Sequence, residues 1–357
     1  MTERLSSRMF PPRVSHRLGK LIRWPSRQLE SHIRPRVLSH NVEHISGPER
    51  VNYGLDEVIV ICVVRNGAPH IRSFIEHHFS LGVRHIVFLD NDSNDDTVKI
   101  AGEYSNVTVL RTTCPYRTYE NVMKRYLVQR FARNRWSLCV DIDERFDYPF
   151  SDCLSLQSLV AYLNKHSYTA MLTQMLDLFA DQSVSGIDIG TDGGITEVCK
   201  YYDISNIEKT DYPFKDLSNS RIKHYWGGVR RTLFGTRNGL TKAALIFLDG
   251  TIEPFVHWHH AKHARIADFA GVLLHYPFAG LFYERVEDAV KTGRYGRFTT
   301  REYQKYWQIL REYPELSIKR DTARELKSVN ELVDVGFLVI SESYQRWAEL
   351  HAKGRDI

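Results

Sequence analysis

An uninterrupted apolar run at Val58–Val64 is the sequence feature that most constrains the fold. It reads VIVICVV, and a strand without a polar face has to be buried on both sides, as the inner strands of parallel sheets are. Pro69 then opens a helical pattern, Gly82 ends it, and a second apolar run follows at residues 85–89. This strand, helix, strand order predicts an α/β fold with a doubly wound, mostly parallel sheet.

The alternation continues with a strand predicted over residues 107–110, a helix over 120–133 and a strand over 137–143. In doubly wound sheets, ligands bind beyond the carboxyl ends of the strands. We therefore expect one edge of the sheet to collect the polar residues that follow the strands. These residues are Arg65, Asp90, Asp92, Asp141 and Asp143.

The last of these strands closes on an Asp-x-Asp pair, Asp141 and Asp143. Because side chains alternate along a strand, the two aspartates are expected to point to one side and to share a divalent cation. Carboxylate oxygens suit Mg²⁺ or Mn²⁺ better than Zn²⁺. Such an ion can bridge two phosphates and stabilise a departing nucleoside diphosphate. The alternative interpretation is a strand followed by an acidic turn that binds nothing.

Four segments in this order carry a family resemblance. They are residues 63–66 (VVRN), 74–82 (FIEHHFSLG), 88–97 (FLDNDSNDDT) and 140–144 (VDIDE). Together they resemble the family-2-like glycosyltransferases of the GT-A fold. Within that group they are similar to the branch related to the family-92 type, whose strands end in Asp-Asn-x-Ser-x-Asp and Asp-x-Asp-Glu. The chain departs from the branch at Gly67, where an acidic residue is common after Arg-Asn.

The resemblance implies a metal-dependent, inverting glycosyltransferase that moves a sugar from a UDP- or GDP-sugar to a hydroxyl of a glycan or lipid-linked acceptor. The donor-binding residues that it implies are Arg65, Asn66, Asp90, Asp92, Asn121, Arg125 and Asp141. The metal, Mn²⁺ or Mg²⁺, would be held by Asp143 together with Asp141 and His275.

Several of these residues have a structural alternative. Asn121 and Arg125 are equally compatible with a solvated helical face, and His275 with a hydrogen-bonded histidine of the core. Glu144 either orients its ligand-binding neighbours or is an exposed acidic residue of the turn.

Transfer with inversion needs a carboxylate that takes the proton of the acceptor hydroxyl during its attack. Asp177, which follows a strand predicted over residues 170–176, is the first candidate for this base, and Asp181 is the second. For both, an acidic loop is the alternative. A second hypothesis for the whole chain is a non-catalytic protein on the same fold that binds nucleotide sugars or glycans. Gly67 and the choice between two candidate bases leave room for this hypothesis.

Three regions are predicted. Residues 1–50 form a basic arm, either disordered or surface-associated, and residues 301–357 form a helical extension. Between them, residues 51–300 form the GT-A domain, with a nucleotide half over 55–150 and an acceptor half over 151–300. The arm carries arginines interleaved with apolar residues, a composition that suits peripheral contact with an anionic membrane surface.

Composition indicates where such a protein would work. The formal charge of +5 over 357 residues is modest, which argues against a nucleic-acid partner. Five scattered cysteines are typical of a reducing compartment. No apolar stretch has the length of a membrane span or the pattern of a signal peptide. We therefore expect a cytoplasmic protein that contacts the inner face of the membrane through the arm.

Overall fold

The computed structural model describes residues 32–184, 187, 194–213, 217–257, 259–280 and 282–352. All predicted site residues lie within this set, whereas most of the predicted basic arm lies outside it. The last part of the arm is folded. A helix, α1, occupies residues 32–40, and strand β1 (Glu43–Ser46) forms the edge of the sheet by pairing antiparallel with β4 (Val107–Arg111).

The following segment alternates strands and helices as predicted. Its elements are β2 (Val58–Val64), α2 (Ala68–Ser80), β3 (His85–Asp90), α3 (Thr97–Ala101), β4, α4 (Tyr116–Phe131) and β5 (Trp136–Cys139). Strands β4, β3, β2 and β5 lie side by side in this order and are all parallel.

The rest of the chain adds strands of both directions. Its elements are β6 (Glu144–Asp147), α5 (Leu156–Lys165), β7 (Ala170–Phe179), α6 (Ile195–Val198), β8 (Tyr201–Tyr202), β9 (Ile207–Asp211), β10 (Lys223–Gly227), α7 (Val229–Phe234), β11 (Thr241–Phe247), β12 (Glu253–His257), β13 (His260–Lys262), β14 (Ile266–His275), α8 (Phe282–Thr292), α9 (Arg297–Glu312), β15 (Arg324–Glu325), α10 (Glu331–Asp334) and α11 (Glu342–His351).

The sheet continues from β5 through β11, β7 and β14 to β6. Strand β11 is antiparallel to both of its neighbours, β5 and β7, so β7 runs in the same direction as β5. Strand β14 is parallel to β7, and β6 is antiparallel to β14. The carboxyl ends of β2, β3, β5, β7 and β14 therefore reach one edge, where β6 and β11 begin.

Side-chain alternation divides the sheet between two cores. On β2, Val58 and Val60 face the core covered by α2, α5 and α11, and Ile59 and Ile61 face the core covered by α1 and α4. The predicted doubly wound α/β architecture is confirmed, with a parallel first half and a mixed second half.

The C-terminal helices pack on this domain. The Tyr344 ring of α11 stacks on Phe269 of β14 with their centroids 3.7 Å apart, while α8 and α9 pack over the ends of β7 and β14. In the part of the chain that the structure describes, no helix combines the length and the hydropathy needed to cross a membrane.

Candidate active site

The Asp-x-Asp segment lies in a turn. Strand β5 ends at Cys139, earlier than predicted, and β6 begins at Glu144. Glu144 closes the turn, because its backbone N–H donates to the Asp141 carbonyl at 3.0 Å and its Oε2 accepts from the Asp141 N–H at 2.7 Å. Asp141 and Asp143 therefore do not alternate along a strand, and their side chains have different partners.

Two buried lysines face Asp141. Lys242 Nζ, on β11, lies 3.1 Å from Asp141 Oδ2 and 2.7 Å from Glu144 Oε2. Lys124 Nζ, on α4, lies 3.3 Å from Asp141 Oδ1 and 3.4 Å from Glu120. Burial alone would raise the pKa of Asp141, but the two ammonium groups hold it below its usual range. The protein itself thus compensates most of the charge of Asp141. Glu144 is buried and orients the turn. Of the two roles expected from the sequence, the exposed acidic residue of a turn is therefore wrong.

Asp143 belongs to a separate chain of contacts through His275. His275 Nδ1 lies 2.6 Å from Asp177 Oδ1, and His275 Nε2 lies 3.6 Å from Asp143 Oδ2. Asp177 Oδ2 accepts a hydrogen bond from Arg230 Nε at 2.9 Å. Strand register accounts for the meeting, since His275 on β14 is level with Asp177 on β7 and with Glu144 on β6.

The chain of contacts fixes the histidine. An ionised Asp177 can only accept, so His275 donates through Nδ1 and directs Nε2 to Asp143. Burial would lower the pKa of His275, but the carboxylates of Asp143 and Asp177 raise it to about 9. Burial would likewise raise the pKa of Asp177, while the Arg230 guanidinium and His275 hold it below its usual range.

Asp143 and His275 fit a divalent cation. The 3.6 Å between His275 Nε2 and Asp143 Oδ2 is too long for a hydrogen bond, but one ion at about 2.1 Å from each atom can reach both. Metal-ligating histidines commonly donate their other ring N–H to a carboxylate, which Asp177 supplies. Among the described residues, no group of three or more His, Cys, Asp or Glu forms a complete metal site. Two protein ligands would leave the other positions to phosphate oxygens and water.

Arg285, on α8, adds a cation beside Asp143. Its Nη1 lies 3.5 Å from Asp143 Oδ2, and its Nη2 donates to the Pro277 carbonyl. Aromatic rings cover this region, since Tyr295 stacks on Tyr303 at 5.0 Å and meets Tyr116 edge-on at 5.9 Å. The site therefore combines a candidate metal position with a guanidinium suited to phosphate oxygens, next to a group of partly buried tyrosine rings.

A buried arginine, Arg145, connects the Asp-x-Asp turn to helix α2 through hydrogen bonds. Arg145 is fully buried, and its Nη1 donates to the carbonyls of Ile142 and Glu144 at 2.9 Å and 3.1 Å. Its Nη2 donates to the His70 carbonyl of α2 at 2.9 Å. Burial lowers the pKa of His70 to about 3, so its ring is neutral. These bonds tie the Asp143 turn to α2.

Asp90 lies at the end of β3, as predicted, but is fully buried. Arg111 Nε lies 3.1 Å from its Oδ2, and the Ser93 N–H donates to both carboxylate oxygens at 3.2 Å and 3.3 Å. Through these contacts Asp90 stabilises the conformation of the loop after β3. Its predicted contact with the nucleotide stays a prediction.

The neighbouring residues Arg65, Asn66 and Asp92 are open to a ligand. Arg65 Nη1 lies 3.7 Å from Asp92 Oδ2, and 57% of the Asp92 side chain is exposed. Asn66 accepts from the Asn94 N–H at 3.0 Å, which joins the loops after β2 and β3. Asn66 and Asp92 have φ values of 51° and 64°, a left-handed conformation that Asn and Asp tolerate better than most residues.

Arg125 points away from this edge. Its Nη1 donates to the Phe255 carbonyl of β12 at 3.2 Å, and its side chain lines a cavity beside residues that precede β5. Asn121 lies one turn earlier, and its buried Oδ1 has no hydrogen-bond partner within the described ranges. In these ranges no hydrogen bond or ion pair joins either residue to Asp141 or Asp143.

The two candidates for the base also have partners. Both oxygens of Asp177 are engaged, by His275 and by Arg230. Asp181 pairs with Lys319, and 55% of its side chain is exposed. The catalytic role of either aspartate stays a prediction, while the contacts of Asp177 give it a clear task in holding His275.

Sequence reasoning missed Lys124, Lys242 and Arg285. Two of them carried a signal. Lys124 follows the apolar positions Val122 and Met123 of α4, and Lys242 directly precedes the apolar run of β11. A charge inside an apolar pattern requires a buried counter-charge. Arg285 had no such signal, because the helix around it is rich in charged residues.

No protein-family model and no curated protein sequence matches the chain. Among solved structures, it is similar to glucosyl-3-phosphoglycerate synthase from Mycobacterium tuberculosis in complex with Mn²⁺, uridine diphosphate and glucosyl-3-phosphoglycerate. The identity is 15%, the match covers 37% of this chain and 51% of that chain, and the TM-score is 0.24. It is also similar to a nucleotidyl transferase from Methanothermobacter, with 10% identity over 36% of this chain and 63% of that chain and a TM-score of 0.22. The matched part thus spans about half the length of the synthase. TM-scores this low establish neither a family nor a function.

Proposed function

We propose that the protein is a metal-dependent glycosyltransferase that moves a sugar from a nucleoside-diphosphate sugar to a hydroxyl of a glycan or lipid-linked acceptor. The chain of contacts from Asp143 through His275 to Asp177 carries this proposal, because it presents a carboxylate and an oriented imidazole at the ligand-binding edge of a doubly wound sheet. The ordered motifs that resemble the family-2 and family-92 branch support the same class.

In this proposal Asp143 and His275 hold Mn²⁺ or Mg²⁺. The bound ion supplies Lewis-acid stabilisation of the departing nucleoside diphosphate. Arg285, 3.5 Å from Asp143, meets charge on the same diphosphate. Asp177 is a positioning residue, because its bond to Nδ1 keeps Nε2 of His275 directed at Asp143.

Asp141 has a different part in the proposal. Its two lysine partners leave it little attraction for a further cation, so its exposed portion accepts a hydrogen bond from a hydroxyl of the donor ribose or sugar. Arg65, Asn66 and Asp92 contact the nucleotide from the loops after β2 and β3. Asp90 shapes the second of these loops.

The stereochemical part of the proposal is transfer with inversion, in which a base accepts the proton of the acceptor hydroxyl. Asp177 is a poor base while both of its oxygens are engaged and its pKa is held low. The anomeric configuration of the first-formed product, read by NMR, decides between inversion and retention.

Nucleotide binding tests the site directly. Thermal shift and calorimetry with UDP and GDP, each with and without Mn²⁺, should show metal-dependent binding that Asp143→Asn abolishes. Asp96→Asn is the matched control, because Asp96 is an exposed carboxylate at the start of α3. Equal binding with and without metal, or equal loss in both variants, would overturn the assignment.

Turnover separates the enzyme from a binding protein. A panel of nucleoside-diphosphate sugars, followed by mass spectrometry, should reveal donor hydrolysis or transfer that depends on Asp143. Metal-dependent binding without turnover of any donor would instead favour a nucleotide-sugar or glycan-binding protein on the same fold.

A further inference from the structure

A cavity of about 600 Å³ opens between the C-terminal half of α4 and the segment that joins β11 to β12. We call it the basic cavity. Its lining residues include Arg125, Gln129, Arg133, Asn134, Leu248 and Ile252. Arg133 and Asn134 precede β5, whereas Asp141 follows it, so the cavity and the Asp-x-Asp turn lie at opposite ends of the same strand.

Two guanidinium groups of the basic cavity lack a carboxylate partner. Arg125 is half-buried and donates to a backbone carbonyl, that of Phe255, at 3.2 Å. The Arg133 side chain is exposed, and across the described ranges no carboxylate lies within ion-pair distance of either arginine. Glu253 also lines the cavity, from an exposed position.

Holding Arg125 in this way has an energetic cost. Burial lowers the pKa of Arg125, because its charge is removed from water without a nearby anion. Arg230 is paired with Asp177 and Arg285 with Asp143. Arg145 also has no carboxylate partner among the described residues, but it is enclosed and donates to three carbonyls and to Ser73, whereas Arg125 lines an open cavity. An anion from outside the chain would supply the compensation that Arg125 lacks.

The rest of the lining indicates what kind of anion fits. Gln129 and Asn134, which carry amide donors, line the same cavity as the two arginines. Guanidinium forks match phosphate oxygens in two-point contacts. Leu248 and Ile252 contribute an apolar wall. A few convergent polar groups on an apolar surface are typical of small-molecule sites.

We propose that the basic cavity binds a phosphorylated ligand, with the phosphate between Arg125 and Arg133 and the organic part against Leu248 and Ile252. The ligand is either a soluble phosphorylated compound or the headgroup of an anionic phospholipid. This site does not depend on the proposed transferase function. Arg125 is one of the donor-binding residues that the resemblance implies, but within the described ranges no hydrogen bond or ion pair joins a lining residue to Asp141, Asp143 or His275.

Hydrogen exchange with pyrophosphate as the probe, in EDTA, tests the proposal. We expect saturable protection of backbone amides in residues 248–255. Arg125→Met with Arg133→Met should weaken this binding about tenfold or more, the effect of losing charged hydrogen bonds. Arg130→Met is the matched control, since Arg130 lies on the same helix, bonds Tyr126 and does not line the cavity.

A second variant guards against misfolding. Gln129→Glu keeps both arginines and adds a negative charge at an exposed position of the lining, so it should weaken pyrophosphate binding without changing the unfolding temperature. Absence of saturable protection, protection confined to residues 140–146, or equal binding by all variants would each overturn the proposal.

Vesicles identify the source of the phosphate. Phosphatidylcholine vesicles with and without phosphatidylglycerol replace pyrophosphate in the same measurement. Protection of residues 248–255 by the anionic vesicles, lost in the double arginine variant, supports a lipid headgroup. Protection by pyrophosphate alone supports a soluble ligand, and protection by neither contradicts the site.

Discussion

Asp177 Oδ1 accepts a hydrogen bond from His275 Nδ1 at 2.6 Å, and the parallel pairing of β7 with β14 holds the two residues side by side. A neutral side chain in place of Asp177 would leave the imidazole free to choose its other tautomer. Because the pKa of His275 is raised to about 9, a metal has to displace the proton of Nε2, and without Asp177 the proton that remains would no longer be held on Nδ1.

Asp177→Asn should therefore weaken Mn²⁺ binding in the presence of UDP about 10- to 100-fold, as the loss of a carboxylate behind a metal-ligating histidine does. Calorimetry measures the affinity. Asp181→Asn is the control, because Asp181 is exposed and pairs with Lys319. Unchanged Mn²⁺ affinity together with lost turnover would instead return Asp177 to the role of catalytic base.

Lys242 bridges Asp141 and Glu144 in a buried position, so Lys242→Met should destabilise the fold. Removing one partner of a buried ion pair leaves an uncompensated charge and costs about 3–5 kcal/mol of the free energy of unfolding. Urea unfolding measures this change. Lys99→Met, which breaks an exposed pair with Asp96, should change the free energy by about 0.5 kcal/mol or less.

A double variant separates charge from packing. Glu144→Gln removes one of the two carboxylates that Lys242 faces. The pair Lys242→Met with Glu144→Gln should then cost less than the sum of the single changes, because the coupling between neighbours is lost only once. Strict additivity would show that the two side chains act independently.

The sequence predicts the first half of the fold well, because its signals are local. The strand β2 matches the predicted Val58–Val64, since a run of seven apolar residues rich in valine and isoleucine favours a strand buried on both faces. The second half escapes such reasoning. Strand β11 lies between β5 and β7 and is antiparallel to both. Its position and direction depend on pairing with segments that are distant in the sequence.

The same distinction holds for the candidate site. A topological rule places the carboxylates of Asp90, Asp141 and Asp143 at one edge. The partner of each carboxylate depends on strand register and helix placement. Lys242 is 101 residues from Asp141 along the chain and 98 from Glu144, so no local pattern connects them.

Gly67, where the chain departs from the branch that it resembles, is required by packing against Val64 and against Ile142 of the Asp-x-Asp segment. A Cβ at Gly67 would lie 2.7 Å from Val64 Cγ2 and 2.9 Å from Ile142 Cγ1. Gly67→Ala should therefore destabilise the protein by about 1–3 kcal/mol, the usual cost of overpacking. Thermal and urea unfolding measure the effect.

A smaller side chain at residue 142 tests whether Ile142 is an obstacle to a Cβ at Gly67. In an Ile142→Ala background, the further change Gly67→Ala should cost less, because the collision with Ile142 is gone while the collision with Val64 remains. Gly296→Ala is the control, since a Cβ at Gly296 meets no atom within 4 Å. An undiminished cost of Gly67→Ala in the Ile142→Ala background would mean that Ile142 is not the obstacle.

Asp147, on β6, gives the protein a stability that falls as the pH rises. Burial raises the pKa of Asp147 to about 6, with Asp152 adding to the shift, whereas an aspartate of the unfolded chain titrates near 3.9. Between about pH 4 and pH 6 the folded state therefore binds more protons than the unfolded state, so stability decreases through this window and the loss is complete above it.

Asp147→Asn removes this titration and keeps the oxygen that accepts from the Tyr148 N–H at 2.7 Å. We expect the variant to exceed the wild type by about 1–2 kcal/mol in the free energy of unfolding at pH 8, allowing for partial solvent exposure, and to lose that advantage near pH 4. Urea unfolding at a series of pH values measures the difference. A difference of the same size at pH 4 and pH 8 would show that the pKa of Asp147 is the same in the folded and unfolded states, because only a difference between these two pKa values makes stability depend on pH.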